Sequence, residues 1–187
     1  EKLMPKIVDR DKQKADILSA SFPLFASMGF GVVGMRQCAR ELGVSTGTLY
    51  HYFASKDVLF EQMYLQKSRQ MAQLLVESIP ACEDPEVRTE ALIGFVQENL
   101  SDLQRMLVMA FDFRRNGPEA SELLNQSFLF FRASLQTLLG IQDVEEADQI
   151  LVLVFGVISR ETLLSAPLDL TGFRGDLQRI VGRTAIN

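Results

Sequence analysis

This sequence is poor in the residues from which metal centres, redox sites and catalytic triads are built. Its 187 residues include one histidine, His51, two cysteines, Cys38 and Cys82, and no tryptophan. A single imidazole cannot make a His-rich metal centre, and the two cysteines lack metal-ligand spacing. Cys38 falls among the apolar positions of a short helical segment and reads as a core thiol. Cys82 follows Pro80-Ala81 in a linker. Both are expected to be free thiols in a reducing compartment rather than a disulfide. No nucleophile–base pair, paired carboxylates or Gly-rich phosphate loop stands out, so the reading is not an enzyme, and neither metal nor cofactor is expected. Long apolar runs are missing too. The longest, 150–158, has nine residues, against the ~20 that a membrane-spanning helix needs. The first residues, EKLMPKIVDRDKQK, are charged and lack the apolar stretch of a signal peptide, which points to the cytoplasm. The absence of an initial Met suggests that a few native residues precede Glu1.

What remains is a chain of ordinary globular composition, 47% hydrophobic and 23% charged, long enough to bury a substantial core. Its net charge of −5 is unevenly spread: residues 1–60 carry a net +2 and residues 61–187 a net −7. An acidic protein with one basic end fits a modular nucleic-acid binder. Apolar periodicity predicts helices at about 11–28, 35–42, 46–52, 56–78, 85–100, 101–115, 118–139, 144–165 and 171–183. Breaks are expected at Gly29-Phe30-Gly31, Pro80 to Pro85, Gly117-Pro118, Gly140 and Pro167. Pro23 falls inside the first helix and is expected to kink or loosen it. Gly172, Gly175 and Gly182 weaken the last helix. The β-prone run 151–154 lies within a longer helical pattern, and the fold class is all-α with about nine helices.

Residues 35–60, MRQCARELGVSTGTLYHYFASKDVLF, carry the chemistry. Gly43 can take positive φ and stop one helix, Val44 anchors the turn, and Ser45 can cap the next. This is helix-turn-helix grammar, in which the N-terminal residues of the second helix meet base edges in the major groove. The side chains suit that role: small hydroxyls at Ser45, Thr46 and Thr48, a close approach at Gly47, then Tyr50, His51 and Tyr52. Arg36 and Arg40, on the preceding helix, are available to phosphates. Leu49 and Phe53 belong to the core.

The segment GVSTGTLYHYFASKDVLF, with Ile17-Leu18, Phe25 and Gly29-Phe30 upstream, resembles the N-terminal domain of the tetracycline-repressor-like (TetR) transcriptional regulators over roughly residues 12 to 62. The resemblance implies a three-helix DNA-binding head at 1–55 and a helical ligand-binding and dimerisation domain at 56–187. It implies that Lys56 and Tyr50 bond phosphates, that Thr46, Gly47, Thr48 and His51 face the groove, and that Tyr52 lies at its edge. Val33-Gly34 departs from the family, where hydroxyl residues are common, and Ala54 replaces a frequent Pro.

The resemblance further implies a homodimer reading a palindromic operator on double-stranded DNA, with the last two helices of each subunit forming a four-helix bundle. The interface is assigned to Ile150, Leu151, Val154, Val157 and Ile158. A pocket for a small hydrophobic effector is assigned to Phe95, Met106, Met109, Phe113, Phe128 and Phe131, because Met- and Phe-rich linings adapt to apolar molecules. The resulting expectation is a repressor released by its ligand. The alternative is a protein-interaction module of the same fold that has lost specific DNA binding, favoured by Val33-Gly34 and the acidic total.

Overall fold

The computed structural model describes residues 10–78, 84–115, 120–164 and 170–184. Among them the secondary structure is helical throughout, in nine helices: α1 Arg10–Met28, α2 Met35–Glu41, α3 Thr46–Tyr52, α4 Lys56–Glu77, α5 Pro85–Glu98, α6 Leu100–Arg114, α7 Ala120–Leu139, α8 Val144–Leu164 and α9 Leu170–Thr184. The all-α architecture is as expected. The breaks anticipated at Pro80, Gly117-Pro118 and Pro167, and Cys82 with them, fall outside the described residues. The chain divides into two compact units, 1–67 and 68–187, with the boundary inside α4.

The N-terminal unit is organised around aromatic rings. Phe60 of α4 meets Phe25 of α1 edge-on at 5.3 Å, meets Phe30 of the following loop at 5.1 Å, and stacks on Tyr64 at 5.9 Å between centroids. Leu49, Phe53 and Leu59 are fully buried around them. The first turns of α4 belong to this unit because Leu59, Phe60, Met63 and Tyr64 fill its interior. Burial alone pushes the Tyr64 hydroxyl well above its ordinary pKa, as expected for a phenol withdrawn from water. α1 continues unbroken past Pro23. The proline is exposed, so its ring faces solvent rather than a neighbouring element.

In the C-terminal unit α5 packs on α9, and α7 and α8 form an antiparallel pair against which α6 lies. α9 survives its glycines because Phe173, Leu177 and Val181 make one buried face. Arg174 also donates from Nη2 to Glu90 on α5 at 2.8 Å. Ser68 of α4 and Ser127 of α7 share a buried hydrogen bond of 2.8 Å between their hydroxyls. Two groups that would be costly to bury alone thereby satisfy each other.

Candidate nucleic-acid interface

α2 ends in a hydrogen-bonded turn whose geometry only glycine adopts without strain. Gly43 has φ of 65°, its N–H donates to the Arg40 carbonyl at 3.2 Å, and Val44 N–H donates to the Ala39 carbonyl at 3.0 Å. This 5→2 and 6→1 pair is the Schellman motif, and it turns the chain sharply into α3. Ser45 then caps α3, its hydroxyl accepting from Thr48 N–H at 2.9 Å. The Ser45 and Thr48 hydroxyls are themselves hydrogen-bonded at 2.8 Å. α2 is capped less well. Its N-cap, Gly34, is extended (φ −111°, ψ 159°) and offers no side-chain bond.

The helical repeat of α3 sorts its side chains cleanly. Leu49 is fully buried, while Gly47, Tyr50 and His51 are exposed and Thr46 and Thr48 are half-buried. Tyr50 keeps 51% of its surface in solvent. One exposed face therefore carries Thr46, Gly47, Tyr50 and His51, with Arg36 exposed on α2. Arg40 is also exposed but pairs with Glu41 at 3.1 Å. A surface with small hydroxyls, a glycine, a phenol and an imidazole at the start of a capped helix can offer both phosphate and base-edge hydrogen bonds.

Ser45 and Thr48 bond each other, and two further residues assigned to DNA have partners far away in the chain. The Tyr52 hydroxyl donates to Gln13 Oε1 on α1 at 2.8 Å. Lys56 Nζ donates to the Phe30 carbonyl at 2.8 Å and sits 4.0 Å from the centroid of the Phe30 ring. Their partners lie 39 and 26 positions away in the chain. A local motif carries no signal for contacts of that range. The field of Lys56 also reaches the buried Cys38 thiol on α2. Burial raises that thiol's pKa, and a backbone hydrogen bond and then the Lys56 charge partly offset the rise.

In the C-terminal unit the assigned residues scatter. Phe95 and Phe131 line an apolar cavity of about 30 Å³, together with Leu75, Leu92, Leu135 and Val154 among others. Met106, Met109 and Phe113 are buried but do not line it. Phe128 faces outward, 41% exposed, with its ring 6.1 Å from Phe155.

The residues expected at the dimer interface lie mostly on the inward side of α8. Ile150 and Ile158 are buried within the protomer, and Leu151 and Val154 line the cavity. They face the core because positions 150, 154 and 158 share one side of the helix. Val157 is half-buried. The apolar side chains that α8 turns outward are Val144, Val152, Phe155, Leu163 and Leu164. A signal for them existed: Val152 lies on the same side as the polar Glu145, Gln149 and Arg160, opposite the core. Among the described residues no cluster of His, Cys, Asp or Glu could hold a metal ion, and no helix is long and apolar enough to cross a membrane.

Residues 17–63 match the family described as bacterial regulatory proteins, tetR family. The transcriptional regulator UidR of Escherichia coli (strain K12) is 26% identical over 110 residues, 59% of this chain and 56% of UidR. The match therefore spans little more than half of that relative. Among solved structures, the transcriptional regulator SCO7518 of Streptomyces coelicolor A3(2) superposes with a TM-score of 0.77 at 23% identity, covering 91% of this chain and 98% of that one. The multidrug binding protein EbrR, complexed with malachite green, gives 0.71 at 19% identity, covering 90% and 98%. At these identities the two structures establish a shared fold.

Proposed function

We propose that this chain, whose residues 17–63 match the bacterial regulatory proteins of the tetR family and whose fold is shared with transcriptional regulators, is itself a transcriptional regulator rather than an enzyme, and that it is a homodimeric repressor. It acts in the cytoplasm, holds a palindromic DNA operator through its N-terminal unit, and releases it when a small hydrophobic molecule occupies the C-terminal one. The observation that carries this reading is the Ser45-capped α3 with its exposed face of Thr46, Gly47, Tyr50 and His51. In the proposed complex the N-terminal turn of α3 enters the major groove. Thr46, Gly47, Thr48 and His51 meet base edges, Ser45 stands at the groove entrance, and Tyr50 and Arg36 bond phosphates.

Dimerisation is assigned to the outward face of α8 around Val152, Phe155 and Leu163, whose exposure leaves apolar surface for a second copy to cover. Two heads about one helical turn (~34 Å) or a multiple apart then read a two-fold symmetric site. The effector is assigned to the space bounded by Phe95, Phe131, Leu135 and Val154, and the ligand complex of EbrR supports it by analogy of fold. Switching requires that the effector prefer the DNA-incompetent state. Moving a 1:99 equilibrium to 99:1 takes roughly 5.5 kcal/mol of such preference.

Selection from a randomised duplex pool at two salt concentrations tests the reading. Enrichment of a palindrome with steep salt dependence is the expected result. A pool that stays random at both concentrations sinks it, and favours the interaction module.

A further inference from the structure

We propose that Lys56 is a positioning residue for DNA binding: its ammonium staples α4 to the carbonyl and ring of Phe30, holds the loop that leads into α2, and takes no phosphate of its own. The role rests on α3 being the DNA-facing helix.

The staple has a fixed anchor at its far end. Phe30 is 3% exposed, and its ring packs on both Phe25 and Phe60, at centroid distances of 6.3 and 5.1 Å. Its carbonyl oxygen is therefore held by the core of the unit. An ammonium that leaves water for such a place is favourable only with partners that replace its hydration. Lys56 has two, a carbonyl at 2.8 Å and the face of the ring at 4.0 Å. The carbonyl takes one of the three ammonium donors, and swinging the side chain out of this half-buried seat toward a phosphate means giving up a charge-assisted hydrogen bond and a cation–π contact together.

The loop has reason to need this restraint. It runs Gly31-Val32-Val33-Gly34 into α2, with a glycine at either end and exposed Val32 between. Gly34 gives α2 no side-chain cap, so the entry into α2 rests on the buried Met35 side chain and the bond from Cys38 N–H to the Gly34 carbonyl at 2.9 Å. Val33, 1% exposed, anchors the loop from within, and Lys56 holds its preceding carbonyl from α4. Because α2 packs on α3, an error in the entry of α2 is passed to the groove-facing side chains. Lys56 is thus placed to tune affinity from behind the interface.

The test compares wild type, Lys56→Met and Lys56→Arg by duplex affinity across a salt series and by amide hydrogen exchange of DNA-free protein. Lys56→Met keeps the length of the side chain but loses the charge and the donor. It is expected to weaken binding on the order of tenfold, speed exchange in residues 31–34, and leave the salt slope unchanged. Lys56→Arg, which keeps a donor and a cation over the ring, is expected to restore both affinity and exchange. The proposal is overturned if Lys56→Met lowers the salt slope by about 0.9, the signature of one lost phosphate contact, or leaves loop exchange as in wild type. A wild-type protein that binds no duplex at any salt overturns the DNA reading itself, and this role with it. A wild type that binds while the slope falls overturns this role alone.

Discussion

In the N-terminal unit the large apolar side chains converge: Phe25, Phe30, Phe53, Leu59 and Phe60 are all between 0 and 3% exposed. In the C-terminal unit Val108, Phe111, Val152, Leu163 and Leu164 are each more than half exposed. Phe111 and Phe128 both meet Phe155, at 6.3 and 6.1 Å, and all three rings are partly open to solvent. Apart from Val32 and Met28, the first unit spends its large apolar side chains internally and meets its surroundings with hydroxyls, amides and an imidazole. The second has surface left over. Apolar area contributes roughly 25 cal/mol per Å² only when it is removed from water, so the first unit has little apolar surface left to bury and the second has much to gain from being covered. The contrast teaches that one end is finished for contact with a polar, charged partner and the other for contact with an apolar one.

The largest expected effect is on the finished side. Phe60→Ala removes the ring on which Phe25, Phe30 and Tyr64 converge and should cost about 3–5 kcal/mol of stability, read by urea denaturation. A loss below 1 kcal/mol means that this core is not closed. Val152→Asp sharpens the contrast from the other side. It should leave the helical content nearly unchanged while turning a dimer into a monomer in sedimentation velocity and lowering the melting temperature by what the partner's cover contributed. Binding to a palindromic site should fall about a hundredfold or more as the second head is lost. A dimer that persists removes α8 from the interface. Thr46→Ala, on the exposed face of α3, should cost about 1–3 kcal/mol of discrimination at one base position, seen as a relaxed position in the selected site. An unchanged profile takes Thr46 off the base edges.

The smallest effect concerns Glu90. Its hydrogen bond with Arg174 holds its carboxyl below the ordinary carboxylate pKa, outweighing the opposing effect of burial, and the charge of Arg174 adds a lesser share. A carboxyl depressed in the folded state contributes stability above its unfolded pKa and loses it as pH falls through the folded value. Arg174→Gln should therefore weaken the protein slightly at neutral pH, and the difference from wild type should vanish in acid. Because both side chains are about half in solvent, the effect should be small and reduced by salt.

Much of the fold was legible because its punctuation is local. Gly43, Ser45 and Gly140 each act through neighbours within five residues, and the helices end where those residues dictate. The exposed side of α3 was legible for the same reason, since the burial of Leu49 against the exposure of Tyr50 and His51 follows from the helical repeat. Lys56 and Tyr52 were not, because Phe30 and Gln13 become their neighbours only through tertiary packing. The inward and outward faces of α8 were hard to tell apart because 150–158 is apolar on every side. There the sparse polar positions, Gln149 and Arg160, and not the abundant apolar ones, held the information.

The cavity among Leu75, Phe95, Phe131 and Val154 has a consequence for rates. At about 30 Å³ it has room for a water or two, against the roughly 300–1,000 Å³ of a drug-sized site. A molecule of that size cannot enter at the frequency with which it collides. It must wait for α5, α7 and α8 to part, so its observed rate of association should level off at high concentration at the rate of opening. A response governed in this way is timed by the protein's own motion, however abundant the molecule becomes.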